Sequence, residues 1–214
     1  MPTSTHINRP NIFPVGTPHK PVAPVMTRLK DGTRVCLRPI TPKDELRIGQ
    51  GIEQLSPESR YLRFFSASRS VPDFVVEQLA DVDGYHHIGW GAIRTDRLDV
   101  PAIGAAHAIR STNNPETAEL AVAVLDAYHG KGLGRMLLAS VFIQCEQQDI
   151  RTINVDMIEG NRAALMLIAA LGAYRNGGEA GVVHYRLEIA EALATMRANA
   201  GKFQLTDILG GKDN

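Results

Sequence analysis

The chain has 214 residues, 44% hydrophobic and 21% charged, with 23 basic and 23 acidic side chains. That length suits one domain with an appendage, large enough to bury a core without metal or disulfide. The absent basic excess argues against a broad nucleic-acid surface, and the longest apolar-leaning run, residues 163–173, is about half the ~20 residues that a membrane span needs.

Residues 1–26 hold six of the twelve prolines: Pro2, Pro10, Pro14, Pro18, Pro21 and Pro24. Proline removes backbone donors and disfavours helix in the residue before it, so this segment reads as an extended arm. Either it is a disordered leader, or it packs on a partner subunit of a homodimer. It has no apolar run of the kind a secretory signal carries. The two cysteines, Cys36 and Cys145, have no metal-ligand or disulfide spacing and fit reduced thiols of a cytoplasmic protein. No metal site is predicted.

Residues 33–39 alternate polar and apolar and predict a strand. Thr41, with Asp44 and Glu45 following, predicts a helix running to about Gln54. Ser56-Pro57 is a second start signal, opening a short helix with Tyr61, Leu62, Phe64 and Phe65. A third helix begins near Pro72. The period then changes. Residues 88–95, 102–109 and 117–125 read as three strands on short links, hence an antiparallel meander. A helix over 131–148, a strand over 152–157 and a helix over 161–171 follow. Strands at 173–176 and 182–189 close the pattern, and a last helix covers 190–200. The order predicts an α+β (mixed α/β) domain around one mostly antiparallel sheet.

Chemistry concentrates in residues 118–138. An apolar strand enters a loop with Gly130, Gly132 and Gly134 at alternate positions, and an amphipathic helix begins there. Glycine lets backbone approach a ligand, and the free N–H groups of a helix N-terminus favour phosphate. Lys131 and Arg135 add positive charge. Spacing excludes a Walker loop, because Leu125 stands where its first glycine belongs. It also excludes a Rossmann fingerprint, because Arg135 stands where the third belongs. A glycine-rich turn without a ligand also accounts for the spacing. There is no G-x-S-x-G or H-E-x-x-H. His86, His87, His107 and His184 read as strand or loop histidines, and Trp90 and Cys145 as packing.

Tyr128-His129-Gly130-Lys131-Gly132-Leu133-Gly134 resembles the acyl-CoA pyrophosphate loop of the GNAT N-acetyltransferases, Q/R-x-x-G-x-G/A, with His129 in the Gln/Arg place. Asn161-Arg162-Ala163-Ala164 resembles that family's N-x-x-A helix start, and Leu171-Gly172-Ala173 its L-G-F end without the aromatic. The resemblance covers about residues 27–190 and leaves 191–214 as a C-terminal helix and tail. Arg38-Pro39-Ile40-Thr41-Pro42-Lys43-Asp44, residues 55–65 (LSPESRYLRFF) and residues 118–122 (AELAV) are similar to the Pat-type bacterial protein lysine acetyltransferase domain.

The resemblance implies a three-layer fold, with six to seven strands and helices on both faces. It implies acetyl transfer from acetyl-CoA to an amine, a protein lysine in the Pat-type group. A small-molecule or N-terminal amine is the alternative acceptor. A catalytically idle acyl-CoA-binding sensor is the alternative of another class. It makes Glu119 the general base, where otherwise it is a strand-end acid. The donor contacts fall on Val122, Val124, His129, Gly130, Lys131, Gly132, Leu133, Gly134, Arg135 and Asn161. Asn161 also reads as a helix N-cap. The tyrosine that many members carry seven residues after that asparagine is Ile168 here, leaving Tyr185 and Tyr174 as general-acid candidates by location.

Overall fold

The computed structural model describes residues 22–66, 68, 71–97 and 101–210. Most of the proline-rich arm, and residues 211–214 of the tail, lie outside them. The strands are β1 (Val25–Arg28), β2 (Arg34–Pro39), β3 (His87–Arg94), β4 (Gly104–Arg110), β5 (Thr117–Val124), β6 (Thr152–Ile158), β7 (Tyr174–Glu179) and β8 (Val182–Glu188). They form one sheet in the order β1-β2-β3-β4-β5-β6-β8-β7. Every neighbouring pair is antiparallel except β5 with β6. The expectation of a mixed, mostly antiparallel fold holds.

The described sheet has eight strands rather than six to seven. The extra one is β1, four residues long, which crosses the boundary drawn after residue 26. Its signal is weak in the sequence because Pro24 precedes it and exposed Met26 breaks the alternation. Thr27 ties it to the C-terminal end, donating from Oγ1 to Asp207 Oδ2 at 2.7 Å.

Helices α1 (Glu45–Glu53), α2 (Pro57–Phe64) and α3 (Asp73–Ala80) cover one face. A 3₁₀ turn, Pro42–Asp44, precedes α1. Buried Asp44 accepts from both the backbone N–H and the hydroxyl of Thr41 and pairs with Arg38. Ser56 caps α2, its hydroxyl accepting from Ser59 N at 3.1 Å. Helix α4 (Leu133–Gln147) packs on the opposite face against β3, β4 and β5. Leu133, Met136, Leu137, Leu138, Val141, Phe142 and Cys145 on it are all at most 1% exposed. At roughly 1.5–3 kcal/mol for each large apolar side chain, α4 is the main stabilising element. Trp90 is buried there, donating to Gln144 Oε1 at 2.7 Å. The rest are α5 (Arg162–Ala169), α6 (Ile189–Ala198), α7 (Ala200–Phe203) and α8 (Thr206–Leu209). The last two lie beyond the helix expected over 190–200; Phe203, Leu205 and Ile208 bury them against the core.

Candidate active site

The site begins where the sheet opens. β5 and β6 are in register only from Thr117↔Thr152 to Glu119↔Asn154. Beyond Glu119 the two parallel strands part, while β5 stays paired to β4 up to Val124. Leu125 N donates to Ile103 O and Ser111 N to Thr117 O. Antiparallel pairing alternates, so the backbone groups of residues 119, 121 and 123 engage β4, and those of Val122 and Val124 point into the opening.

Past β5 comes the glycine loop. Gly130 (φ +71°) and Gly132 (φ +93°) both hold left-handed backbone that L side chains avoid. Gly132 is the N-cap of α4, so that helix starts at Leu133, two residues later than expected. The N–H groups of Leu133, Gly134 and Arg135 form the first turn and have no carbonyl partner within the helix. A cleft of about 350 Å³ joins this turn to the strand opening. Val122, Ala123 and Val124 line it from β5, Leu62 and Arg63 from α2, and Asn161, Ala164 and Leu167 from α5 and its cap.

Other elements hold the cleft's walls. Asp126, just after β5, accepts from Ser56 Oγ at 2.7 Å, Ser59 Oγ at 2.8 Å and Ser56 N at 3.1 Å. Although burial opposes it, these bonds hold the Asp126 carboxyl down to about 2. They lock the start of α2 to the end of β5. Asn161 Oδ1 accepts from Ala164 N at 3.1 Å, which is the N-cap role, and the residue also lines the cleft.

Three expected site residues are placed differently from the simplest reading. The His129 Nε2–H donates to Val124 O at 2.8 Å, satisfying a carbonyl that faces the opening. Lys131 Nζ pairs with Asp31 Oδ2 at 2.8 Å in the β1–β2 turn, and that bond holds the Asp31 carboxyl well below the usual carboxylate range. The Lys131 charge is therefore engaged by the hairpin. The Arg135 guanidinium stacks over Phe203 at 4.6 Å, and its buried Nε has no hydrogen-bond partner among the described residues.

Glu119 is exposed and lines a second groove of about 470 Å³, beside the cleft, with Asn154, Asp156, His184 and Tyr185. The His184–Asp156 pair there is 2.7 Å apart. Of the two tyrosines, Tyr185 borders this groove, while Tyr174 is on the edge strand. Ile168 is buried at 2% exposure. Burial lowers the pKa of Arg63 and the charge of Glu119 raises it. Asp126 and Arg63 are given no site role by the sequence, and His107 is read there only as a strand histidine, which it is. Only Asp126, directly after an apolar strand, gave a local signal.

The family model for acetyltransferases of the GNAT family matches residues 52–173. The chain belongs to the GNAT family. Acetyltransferase Pat of Mycolicibacterium smegmatis is 28% identical over 168 residues, 78% of this chain and 50% of that protein. The chain thus spans about half the length of that relative. An acetyltransferase of Pseudomonas aeruginosa is 27% identical over 144 residues, 67% of this chain and 77% of that one. The crystal structure of the GNAT domain of S. lividans PAT superposes with a TM-score of 0.70 at 25% identity. That match covers 77% of this chain and 96% of the other. This GNAT chain has a sheet that opens beyond Glu119 and a glycine turn that caps α4. The groups that differ from the simplest expectation are side chains of the loop, not its backbone.

Proposed function

We propose that the protein is an acetyl-CoA-dependent N-acetyltransferase whose acceptor is a protein lysine. The observation that carries this reading is the parting of β5 from β6 beyond Glu119, which directs Val122 and Val124 backbone into a cleft ending at a helix N-terminus. The cleft fits a long donor with an anionic end. The first-turn N–H groups of α4 take the pyrophosphate, aided by Gly130 and Gly132. Val122 and Val124 hydrogen-bond the pantetheine arm as a missing strand would. Asn161 adds a side-chain contact while capping α5.

At the far end, Glu119 accepts the proton that the attacking amine loses. Five residues separate Glu119 from Val124, about 17 Å at ~3.3 Å per residue, near the reach of such an arm. The Val122 N–H stabilises the oxyanion as the thioester carbonyl is attacked. Buried Ile168 supplies no acid, so the thiolate leaves as an anion or takes its proton from water. Exposed Glu119, in a groove also lined by Asp156, His184 and Arg110, suits a cationic lysine approaching from solvent. Free buried Cys36 and Cys145, and the lack of any long apolar helix among the described residues, agree with a cytoplasmic setting.

A thiol-release assay with acetyl-CoA and a panel of amines tests this reading, alongside mass spectrometry of cellular proteins with and without the enzyme. Release that requires a lysine-bearing protein, with matching loss of lysine acetylation in cells, supports it. Release only with small amines redirects the acceptor. CoA binding without release makes the chain a sensor.

A further inference from the structure

Beside the cleft, on the α1–α3 side of the sheet, is a smaller cavity of about 50 Å³ that shares Leu55, Arg63 and Ala123 with it. At roughly 10–15 Å³ for each water-sized centre, it holds three to five such groups. Ile48, Ile52, Phe64, Leu79 and Leu125 make its walls apolar. Small Ala123 on β5 borders both spaces. His107, 3% exposed on β4, also lines it.

The hydrogen-bond network assigns the His107 tautomer. His87 Nδ1 is 3.0 Å from the Asp81 carbonyl oxygen, which only accepts, so His87 Nδ1 carries the hydrogen. His87 Nε2 is 2.9 Å from His107 Nδ1. With His87 neutral, that nitrogen accepts and His107 Nδ1 donates. His107 Nε2 is left as a lone pair with no hydrogen-bond partner among the described residues. Burial first, with the neighbouring His87 ring and the Arg63 charge adding to it, pushes His107 down to about 3, so it is neutral at physiological pH. It is thus a poor proton acceptor in catalysis and a constant hydrogen-bond acceptor. Arg63 at the mouth disfavours a protonated amine, so the acceptor lysine is not the occupant.

Resting on the acyl-CoA reading of the cleft, we propose that this cavity receives the tail of the donor's acyl group, and that it favours a four-carbon chain with a hydroxyl on carbon 3. Such a tail adds three heavy atoms beyond acetyl, matching the space. Its methyl and methylene meet the apolar walls, and its hydroxyl donates to His107 Nε2. His107 is then a specificity-determining residue.

Titration calorimetry on the full chain tests this with CoA, acetyl-CoA, butyryl-CoA, 3-hydroxybutyryl-CoA and succinyl-CoA. The 3-hydroxybutyryl thioester should bind about tenfold more tightly than butyryl-CoA, or about 1.4 kcal/mol. His107→Phe should bring that ratio to near one. Leu79→Trp fills the cavity from α3 and should weaken both four-carbon donors about tenfold relative to acetyl-CoA, so the test survives if His107→Phe does not fold. Equal affinity for acetyl-, butyryl- and 3-hydroxybutyryl-CoA overturns the inference. Succinyl-CoA as the tightest donor overturns the hydroxyl assignment in favour of charge pairing with Arg63. If CoA itself does not bind, the cleft reading falls and takes this one with it; CoA binding without tail preference overturns this one alone.

Discussion

Replacing Gly132 with aspartate should remove CoA binding while leaving the chain folded. Gly132 caps α4 with φ +93°, and the nearest atoms to a Cβ built there are Gln204 Oε1 at 3.7 Å and Lys30 side-chain carbons at 3.9 Å, ordinary contact distances. The side chain therefore fits, and the cost is the left-handed backbone, about 1–2 kcal/mol. A carboxylate at a helix N-terminus returns about 0.3–1 kcal/mol. The net loss is about 1 kcal/mol, or a melting shift of about 2–4 °C at this size. Binding has no such compensation. A carboxylate about 5 Å from one phosphate charge costs about 0.8–3 kcal/mol at an effective dielectric of about 80 to 20. A pyrophosphate has more than one charge, so CoA affinity should fall by more than tenfold, over about 1.4 kcal/mol. Calorimetry with CoA, paired with thermal unfolding, reads both quantities. Wild-type affinity in a variant that melts normally would refute the loop's role.

Four outcomes test other parts of the structure. Lys131→Met should change CoA affinity by less than about threefold, because its charge is engaged by Asp31; calorimetry reads this, and a tenfold loss would show that the side chain reaches the phosphates. A chain beginning at residue 22 keeps β1 and should melt at a higher temperature than one beginning at residue 29, which loses β1 and the Thr27–Asp207 bond. Asp44→Asn should cost roughly 1.5–3 kcal/mol in urea unfolding at neutral pH, since it weakens charge-assisted bonds to Arg38 and Thr41. Burial works against the Asp44 carboxylate, but the bonds from Arg38 and Thr41 prevail and its pKa is lowered. Its stabilisation is thus present above the ordinary carboxylate range and lost as pH falls below about 4, so the gap between wild type and Asp44→Asn should close there.

The parts legible in the sequence were those with local signals. The Ser56-Pro57 start, the meander from 88 to 125 and the glycine turn each follow from capping chemistry or from a period of two or 3.6. Asn161 was legible as the cap of α5 because capping depends on the next three residues alone. β1 was not legible. Four residues after a proline-rich stretch show too little alternation, and what makes them a strand is pairing with β2 and a bond to Asp207, 180 positions away. The partners of the loop side chains were hidden for the same reason. The charge of Lys131 beside two glycines is legible, but only the folded hairpin brings Asp31 to it. Asp126, Arg63 and His107 acquire meaning only when α2, β4 and β5 meet. Their spacing in the chain holds no period or cap that announces it.

The proposed reaction turns on Glu119 removing the acceptor's proton at the parting of β5 and β6. The measurement that tests it most directly is the pH dependence of thiol release from acetyl-CoA by wild type and Glu119→Gln, with acetyl-CoA affinity measured on both. The substitution keeps size and shape but cannot take the proton. It should leave donor affinity nearly intact and lower turnover by roughly 10²–10⁴ at neutral pH, a loss that shrinks as pH rises and the acceptor amine deprotonates unaided. Wild-type turnover with an unaltered pH–rate profile would contradict the account and make Glu119 an exposed strand-end acid.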